Sequence, residues 1–388
     1  MSELTPEWNS GNKKVIISLA GEQPMPNIIP ALHFENVRRV DLISTNDARA
    51  SKAAGNTRKV LEADGIEVRI HVRDPFDLGK IQETSKRLFE ENRGEGYSVI
   101  PNITGGTKLM SVGLFNAARE KDSAVIYLET RAGKLYTLSP DLQKVSEEDL
   151  AATFRKITIK RYLLAHGQAI EERKNGSIPS HPELSKSIAE FTRDHKASAL
   201  MGRFRRMDSV RNTVDINDAP PDLIRELLNA RIVSKRDNYT LLVQDEAALK
   251  YLKGFWLEDY VYEVVKTLPV DDCTKNLQHV WSDADRQRLE DEEDVIFTCR
   301  GRMFVVSCKT GAAKRNDEDI YKSEVYRMDS LARAIGGLYG EGMLITSGKI
   351  DATLRERAKM LRISVISGKE IWKLRSELSR LLPAAAGV

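Results

Sequence analysis

The stretch 292-EEDVIFTCRGRMFVVSCKTG-311 decides how the C-terminal third of this chain folds. Two β-rich runs flank Arg300-Gly301, a pair suited to a two-residue hairpin turn. With that turn, Cys299 faces Arg302, Asp294 faces Ser307 and Glu292 faces Lys309. Strand side chains alternate between faces, so Glu292, Asp294, Ser307 and Lys309 project from one side. Val295, Phe297, Phe304 and Val306 project from the other. One face thus offers carboxylate, hydroxyl and ammonium while the other is apolar, the arrangement of a site. The plain alternative is an edge hairpin with exposed charges.

These residue types suit phosphodiester hydrolysis. That reaction needs a divalent cation to polarise the phosphoryl oxygen and acidify the attacking water. Hard oxygen donors suit Mg²⁺ or Mn²⁺. A lysine beside them orients the water or stabilises developing negative charge, and a facing carboxylate such as Glu292 tunes its pKa.

Around the hairpin, GFWLEDYVYEVVKTL reads as a helix, with Phe255, Tyr262 and Val265 among its inward residues, followed by the strand LQHVWSD. After the hairpin come a helix near 317–335, a strand GMLITSG, a helix near 351–361, a strand RISVIS and a terminal helix. The simplest assembly is an α-β-β-β-α-β core.

Residues 13–140 are organised differently. KKVIISLA, RRVDLIST, IEVRIHVRD, YSVIPNIT, SAVIYLET and KLYTLS read as strands, with helices near 27–36, 48–63, 78–93 and 107–121 between them. That alternation predicts βαβ crossovers and a mostly parallel sheet covered on both faces. The last two strands, joined around Arg131-Ala132-Gly133, form an antiparallel edge hairpin. In 102-NITGGTKLM-110, Gly105 and Gly106 let backbone amides approach a ligand where a strand passes into a helix N-terminus, a position that favours phosphate. Thr104, Thr107 and Lys108 add donors. The spacing is neither G-x-x-x-x-G-K-[ST] nor G-x-G-x-x-G, so a P-loop and a dinucleotide oxidoreductase are poor readings. A plain capped strand-to-helix turn is the competing one.

Residues 141–253 carry amphipathic runs (SEEDLAATFRKITIKRYLLAHG, PELSKSIAEFTRDHKASALMGRFRRM and APPDLIRELLNARIV) that predict three or more helices. YTLLVQD reads as a strand of a small wing, and ERKNGSIPSHPE (172–183) as a loop. A helical, winged-helix-like linker that relays geometry is favoured over direct DNA reading, because fold does not fix function.

The bulk properties agree. At 388 residues, two or three domains are expected. Net charge is only +3, from 60 basic and 57 acidic residues, so overall charge does not demand nucleic acid. Three cysteines without C-x-x-C spacing suggest neither a disulfide framework nor a zinc site. The six histidines show no metal spacing. The N-terminus lacks signal-peptide character and no run of about 18 apolar residues occurs, so a soluble, cytoplasmic protein without a membrane span is expected.

The hairpin resembles the PD-(D/E)xK endonuclease motif. Asp294 matches its first acid and Lys309 its lysine, whereas Ser307 stands where the motif has a second acid. Glu258 matches the upstream helix acid and, with Glu292, is a candidate to replace the missing charge. The resemblance implies metal binding by Glu258, Asp294 and the backbone carbonyl of Cys308, whose thiol faces the core. At the other end, NITGGTK, SLAGEQPMPNIIPAL (18–32) and LISTNDARASKAAGNTRKVLE (42–62) resemble a CARF domain, the sensor of cyclic oligoadenylates in type III CRISPR defence. Taken together, the outer thirds resemble CRISPR ancillary nucleases that join a Rossmann-like CARF domain to a restriction-endonuclease-like domain.

By position, the resemblance assigns Asn102, Thr104, Gly105, Gly106, Thr107 and Lys108 to the activator, with Ala20, Gly21, Gln23, Pro24 and Asn27 approaching another part of it. Thr45 and Thr57 are further candidates. It implies a homodimer holding one cyclic tetra-adenylate, with Mn²⁺- or Mg²⁺-dependent cleavage of DNA, and often of RNA. The expected domains are a sensor over 1–145, a linker over 146–253 and a nuclease over 254–388. A constitutive restriction-like or repair nuclease and a non-catalytic, ligand-controlled DNA-binding regulator are the alternatives.

Overall fold

The computed structural model describes residues 6, 8, 11–130, 132–171, 178–281, 290–311 and 317–383. Arg131, most of the N-terminal ten residues and the first half of the 172–183 loop lie outside them.

The N-terminal sheet holds β1 (Lys14–Leu19), β2 (Val37–Ser44), β3 (Glu67–Val72), β4 (Ser98–Asn102), β5 (Val125–Glu129), β6 (Lys134–Leu138) and β7 (Lys144–Asp149), in the order β3-β2-β1-β4-β5-β6-β7. The first five are parallel and the last three pair antiparallel. Between them run α1 (Met25–His33), α2 (Ala48–Ala63), α3 (Leu78–Gly94) and α4 (Lys108–Glu120). Adjacent residues Ile16 and Ile17 are both fully buried, because α1 and α2 cover one face and α3 and α4 the other. This explains why β1 reads as a continuous apolar run rather than an alternating one. The strand order reverses between β1 and β4, so a crevice opens at their carboxyl ends, where ligands of open α/β sheets bind.

Beyond the sheet, α5 (Ala151–Phe154) and α6 (Ile159–Ala165) lead to a short strand, β8 (Gln168–Glu171). Then α7 (Pro182–Phe191), α8 (His195–Arg205) and α9 (Pro221–Asn229) pack beside a three-stranded antiparallel sheet of β9 (Thr213–Asp215), β10 (Val233–Lys235) and β11 (Thr240–Val243). The segment YTLLVQD supplies β11, as expected of a wing. Next, α10 (Glu246–Lys250) runs through a π turn into α11 (Trp256–Lys266).

The C-terminal sheet contains β12 (Asp272–Trp281), β13 (Glu290–Cys299), β14 (Arg302–Lys309), β15 (Gly340–Thr346) and β16 (Ile363–Ser367), in the order β16-β15-β14-β13-β12-β8. It is flanked by α12 (Asp317–Gly336), α13 (Ala352–Met360) and α14 (Leu374–Leu381).

Two expectations change. The run SEEDLAATFRKITIKRYLLAHG is not helical from its start: its SEED portion pairs with β6, where Lys134 bridges Glu147 at 2.9 Å, and helix begins only at Ala151. The expected boundary at 145 therefore falls inside β7. Likewise Gln168–Glu171 leaves the expected linker and adds an edge strand to the C-terminal sheet by pairing with β12. The domains are tied at the hairpin tip. Arg300 pairs with Asp149 at 2.8 Å, and Gly301 packs so closely on the Phe154 ring that any side chain there would clash.

Candidate active site and sensor pocket

The hairpin forms in the expected register. Val295 faces Val306, Phe297 faces Phe304 and Cys299 faces Arg302, with positive φ at both Arg300 and Gly301 as such a turn demands. Phe297 and Phe304 stack at 4.7 Å between ring centroids in the core shared with α11. The opposite face is not purely polar. Ile296, Met303 and Val305 pack with Val325 and Met328 of α12, so the polar residues occupy only the far end of that face.

At that end Asp294 Oδ2 accepts the Cys308 amide at 2.6 Å and the Ser307 hydroxyl at 3.4 Å. Lys309 Nζ lies 3.6 Å from Asp294 Oδ2. Glu258, in the first turn of α11, comes close enough to feel the Asp294 charge; burial first, then Asp294, pushes its carboxyl up to about 8. Burial also raises Asp294, against the pull of Lys309 and the Cys308 amide. Cys308 is buried with its thiol pushed well up, chiefly by burial, which disfavours a thiolate there. Glu292 is solvent-exposed, and its charge adds to the pressure on Glu258.

One participant escaped the sequence reading. Glu324, on α12, stands beside Ser307, where the motif has its second acid. Its Oε1 lies 4.0 Å from Lys309 Nζ, Ser307 shares its one hydroxyl proton between this carboxylate and Asp294, and Arg327 pairs with it at 2.9 Å. Burial acts to raise it, but Lys309, Ser307 and Arg327 together hold it below the usual carboxylate range. Nothing in the sequence around 324 marks it, since the contact depends on how α12 crosses the sheet.

The donor set suits a hard cation. Two carboxylates made hard to ionise by burial and mutual repulsion are stabilised as anions by a bound divalent ion. Among the described residues no three His, Cys, Asp or Glu side chains converge to hold an ion by themselves. Two side-chain oxygens, the Cys308 carbonyl and water match the partly hydrated sites that Mg²⁺ prefers.

At the other end of the molecule, the β1–α1 and β4–α4 loops meet over the switch point. Asn102 is buried and joins them: its amide donates to Ser18 Oγ and the Pro26 carbonyl, and its Oδ1 accepts from the Thr104 amide and hydroxyl. Ser18 in turn donates to Asn27 Oδ1 at 2.6 Å. Thr104 also accepts the Leu128 amide of β5. Gly105 packs against the Leu19 carbonyl with no room for a Cβ, and Gly106 sits at φ 71°. Thr107 caps α4 by accepting the Met110 amide.

Gly21, Gln23, Thr104, Gly105 and Gly106 line an open cavity of about 540 Å³, within the range of roughly 300–1,000 Å³ usual for small-molecule sites. The remaining assigned residues sit around it. Asn27 and Asn102 are buried as braces, and Ala20 and Thr45 are buried at the ends of their strands. Pro24 is buried at the start of α1, Lys108 is exposed at the start of α4, and Thr57 is bonded within α2 to the Ala53 carbonyl.

Comparison with known proteins agrees with this division. Residues 15–162 match the Card1 CARF domain, and residues 245–383 match the Card1-like endonuclease domain. The chain is a CARF domain joined to a Card1-like endonuclease domain. The resemblance read from NITGGTK and from WLEDYVYE with the hairpin is thus borne out at both ends. No curated protein sequence matches.

Among solved structures, VC1899 from Vibrio cholerae superposes with a TM-score of 0.79 at 20% identity over 95% of this chain and 98% of its own. Can2 from Sulfobacillus thermosulfidooxidans, solved with cyclic tetra-adenylate, gives 0.77 at 20% identity over 96% and 98%. A type III CRISPR defence DNA nuclease activated by cyclic oligoadenylate gives 0.58 at 21% identity over 88% of this chain and 47% of its own. At such identity the likeness is one of fold. Among the described residues no helix is long and apolar enough to cross a membrane.

Proposed function

We propose that this protein is a cyclic-oligoadenylate-activated, metal-dependent endonuclease that cleaves DNA in type III CRISPR defence. The observation carrying the catalytic half is Asp294, Lys309, Glu258 and Glu324 meeting at the end of one hairpin inside an endonuclease-family domain. The glycine-lined crevice of a CARF-family domain supports the sensing half, as does the likeness to a structure solved with cyclic tetra-adenylate.

A divalent ion held by Glu258, Asp294 and the Cys308 carbonyl would polarise the scissile phosphate and acidify water. Lys309 holds the attacking water in line and balances negative charge as it develops. The Cys308 amide and Ser307 fix the orientation of Asp294, and Glu324 with Arg327 fixes Lys309 from the other side. In the sensor, the amides around Gly105 and Gly106 and the N-terminus of α4 receive phosphate. The chain works as a homodimer through the exposed apolar side chains Phe76, Leu109 and Val112, where the loop before α3 meets the start of α4. To move the enzyme from mostly off to mostly on, the activator must prefer the active arrangement by about 10⁴-fold.

Supercoiled plasmid, single-stranded DNA and single-stranded RNA, each incubated with and without cyclic tetra-adenylate and Mn²⁺, test this. Activator- and metal-dependent plasmid cleavage is expected. Cleavage independent of activator would leave a constitutive nuclease, and none under any condition would leave a non-catalytic regulator.

A further inference from the structure

The crevice assigned to the activator is not built from the sensor alone. Leu338 and Tyr339, which belong to the endonuclease-family region, line it opposite the glycine loops. They lie on the 3₁₀ turn Gly337–Tyr339 that directly ends α12. Leu338 is 72% exposed, an odd position for a large apolar side chain on a turn that the fold otherwise holds closely. From below, the buried Tyr162 hydroxyl donates to the Gly336 carbonyl at 3.4 Å. From the side, Gln23 Oε1 accepts the Leu338 amide at 3.3 Å. Gly337, at φ 57°, takes the left-handed backbone conformation that favours glycine and packs against the end of that same Gln23 side chain.

We propose that the Leu338-Tyr339 turn is the second wall of the activator site, receiving an adenine face while the glycine amides of the sensor receive phosphate. The inference rests on the reading of this cavity as a cyclic-oligoadenylate site and adds which residues of the effector touch the ligand. The chemistry divides cleanly between the walls. Bases stack on aromatic and apolar side chains, and phosphates seek unpaired amides at helix starts. Leu338 and Tyr339 supply the first kind of surface, and the turn around Gly105 and Gly106 supplies the second.

Gln23 belongs to both walls. A ligand that recruits its amide takes it from the Leu338 N–H and frees the turn to close on the base. The turn is continuous with α12, which carries Glu324 and Arg327. From Glu324 to Gly336 is twelve residues of unbroken helix, roughly 18 Å at about 1.5 Å per residue. A shift of the turn therefore reaches the carboxylate beside Lys309 through one rigid element, with no relay through the middle domain.

The test measures binding of cyclic tetra-adenylate to the full-length protein by calorimetry, for wild type, Leu338→Ala, Tyr339→Ala and the remote exposed control Met360→Ala. Loss of a base-stacking partner should weaken binding by roughly tenfold or more in Leu338→Ala and Tyr339→Ala, and leave Met360→Ala unchanged. Leu338 is exposed, so its truncation leaves the melting temperature intact, and that variant stays informative if Tyr339→Ala unfolds. If wild type and Leu338→Ala bind equally tightly, the second wall does not exist, and the sensing function stands without it. If wild type binds no cyclic tetra-adenylate, the reading of the cavity itself falls and this inference falls with it.

Discussion

Lys309 Nζ and Asp294 Oδ2 stand 3.6 Å apart on facing strands of one hairpin, and the same carboxylate oxygen accepts the Cys308 amide at 2.6 Å. The amide fixes the carboxylate, and the carboxylate fixes the lysine. Lys309→Ala should lower activator-stimulated plasmid cleavage by about 10²–10³-fold, the cost of removing one preorganised electrostatic group. Asp294→Asn should match it while keeping the Cys308 hydrogen bond and hence the fold. Gel-based rates at saturating activator and Mn²⁺ check both; near-wild-type rates in the pair would place the chemistry elsewhere.

Glu258 behaves as a group burdened by its position. Burial and the Asp294 charge push its carboxyl up to about 8, so the metal-free fold gains nothing from its ionisation. Glu258→Gln removes the repulsion without changing the shape. The expected result is a melting temperature, in chelator, equal to or above that of wild type, together with a large loss of cleavage. Wild type should gain thermal stability on adding Mn²⁺, by mass action on the native state, and Glu258→Gln should gain clearly less. Equal gains would remove Glu258 from the metal site.

Glu324 stands beside Ser307, where the motif has its second acid. If its contacts with Lys309 and Ser307 matter to catalysis, Glu324→Gln should slow cleavage by roughly 10–100-fold, the usual effect of losing an outer-shell partner. Arg327→Met, which removes only the partner of Glu324, should cost less. Single-turnover rates would separate the two; a Glu324→Gln enzyme as fast as wild type would make this carboxylate purely structural.

The hairpin was legible from sequence because its information is local. Arg300-Gly301 selects the turn, the turn selects the register, and the register places Asp294 opposite Ser307. The βαβ alternation of the first 140 residues was legible for the same reason, since β1 to β4 each carry their own apolar run. What stayed hidden depends on distant partners. Gln168–Glu171 is too short and too mixed to declare itself, and becomes a strand only because β12 offers it an edge. The SEED segment has helical composition, yet its backbone pairs with β6, and Lys134 bridges Glu147 across the sheet. Glu324 looks like any acid on an amphipathic helix until α12 lies across β14. The same helix carries Leu338 to the sensor crevice, so both placements depend on tertiary structure.

Three of the sensor's exposed apolar side chains, Phe76, Leu109 and Val112, lie on α4 and the loop before α3. Phe76 is 75% exposed and Val112 45%, with Leu109 one turn before Val112 on α4. Thr107 ties the two segments by donating to the Pro75 carbonyl at 3.1 Å. If the homodimer proposed above forms here, a second copy of the chain would cover these side chains in a self-complementary contact. Val112→Asp places a charge at its centre. Light scattering after size-exclusion chromatography should show a dimer for wild type and a monomer for Val112→Asp, with unchanged helix content. Because one ring-shaped activator would lie across two sensors, the monomeric variant should also bind cyclic tetra-adenylate more weakly. A Val112→Asp protein that remains dimeric would move the interface off α4.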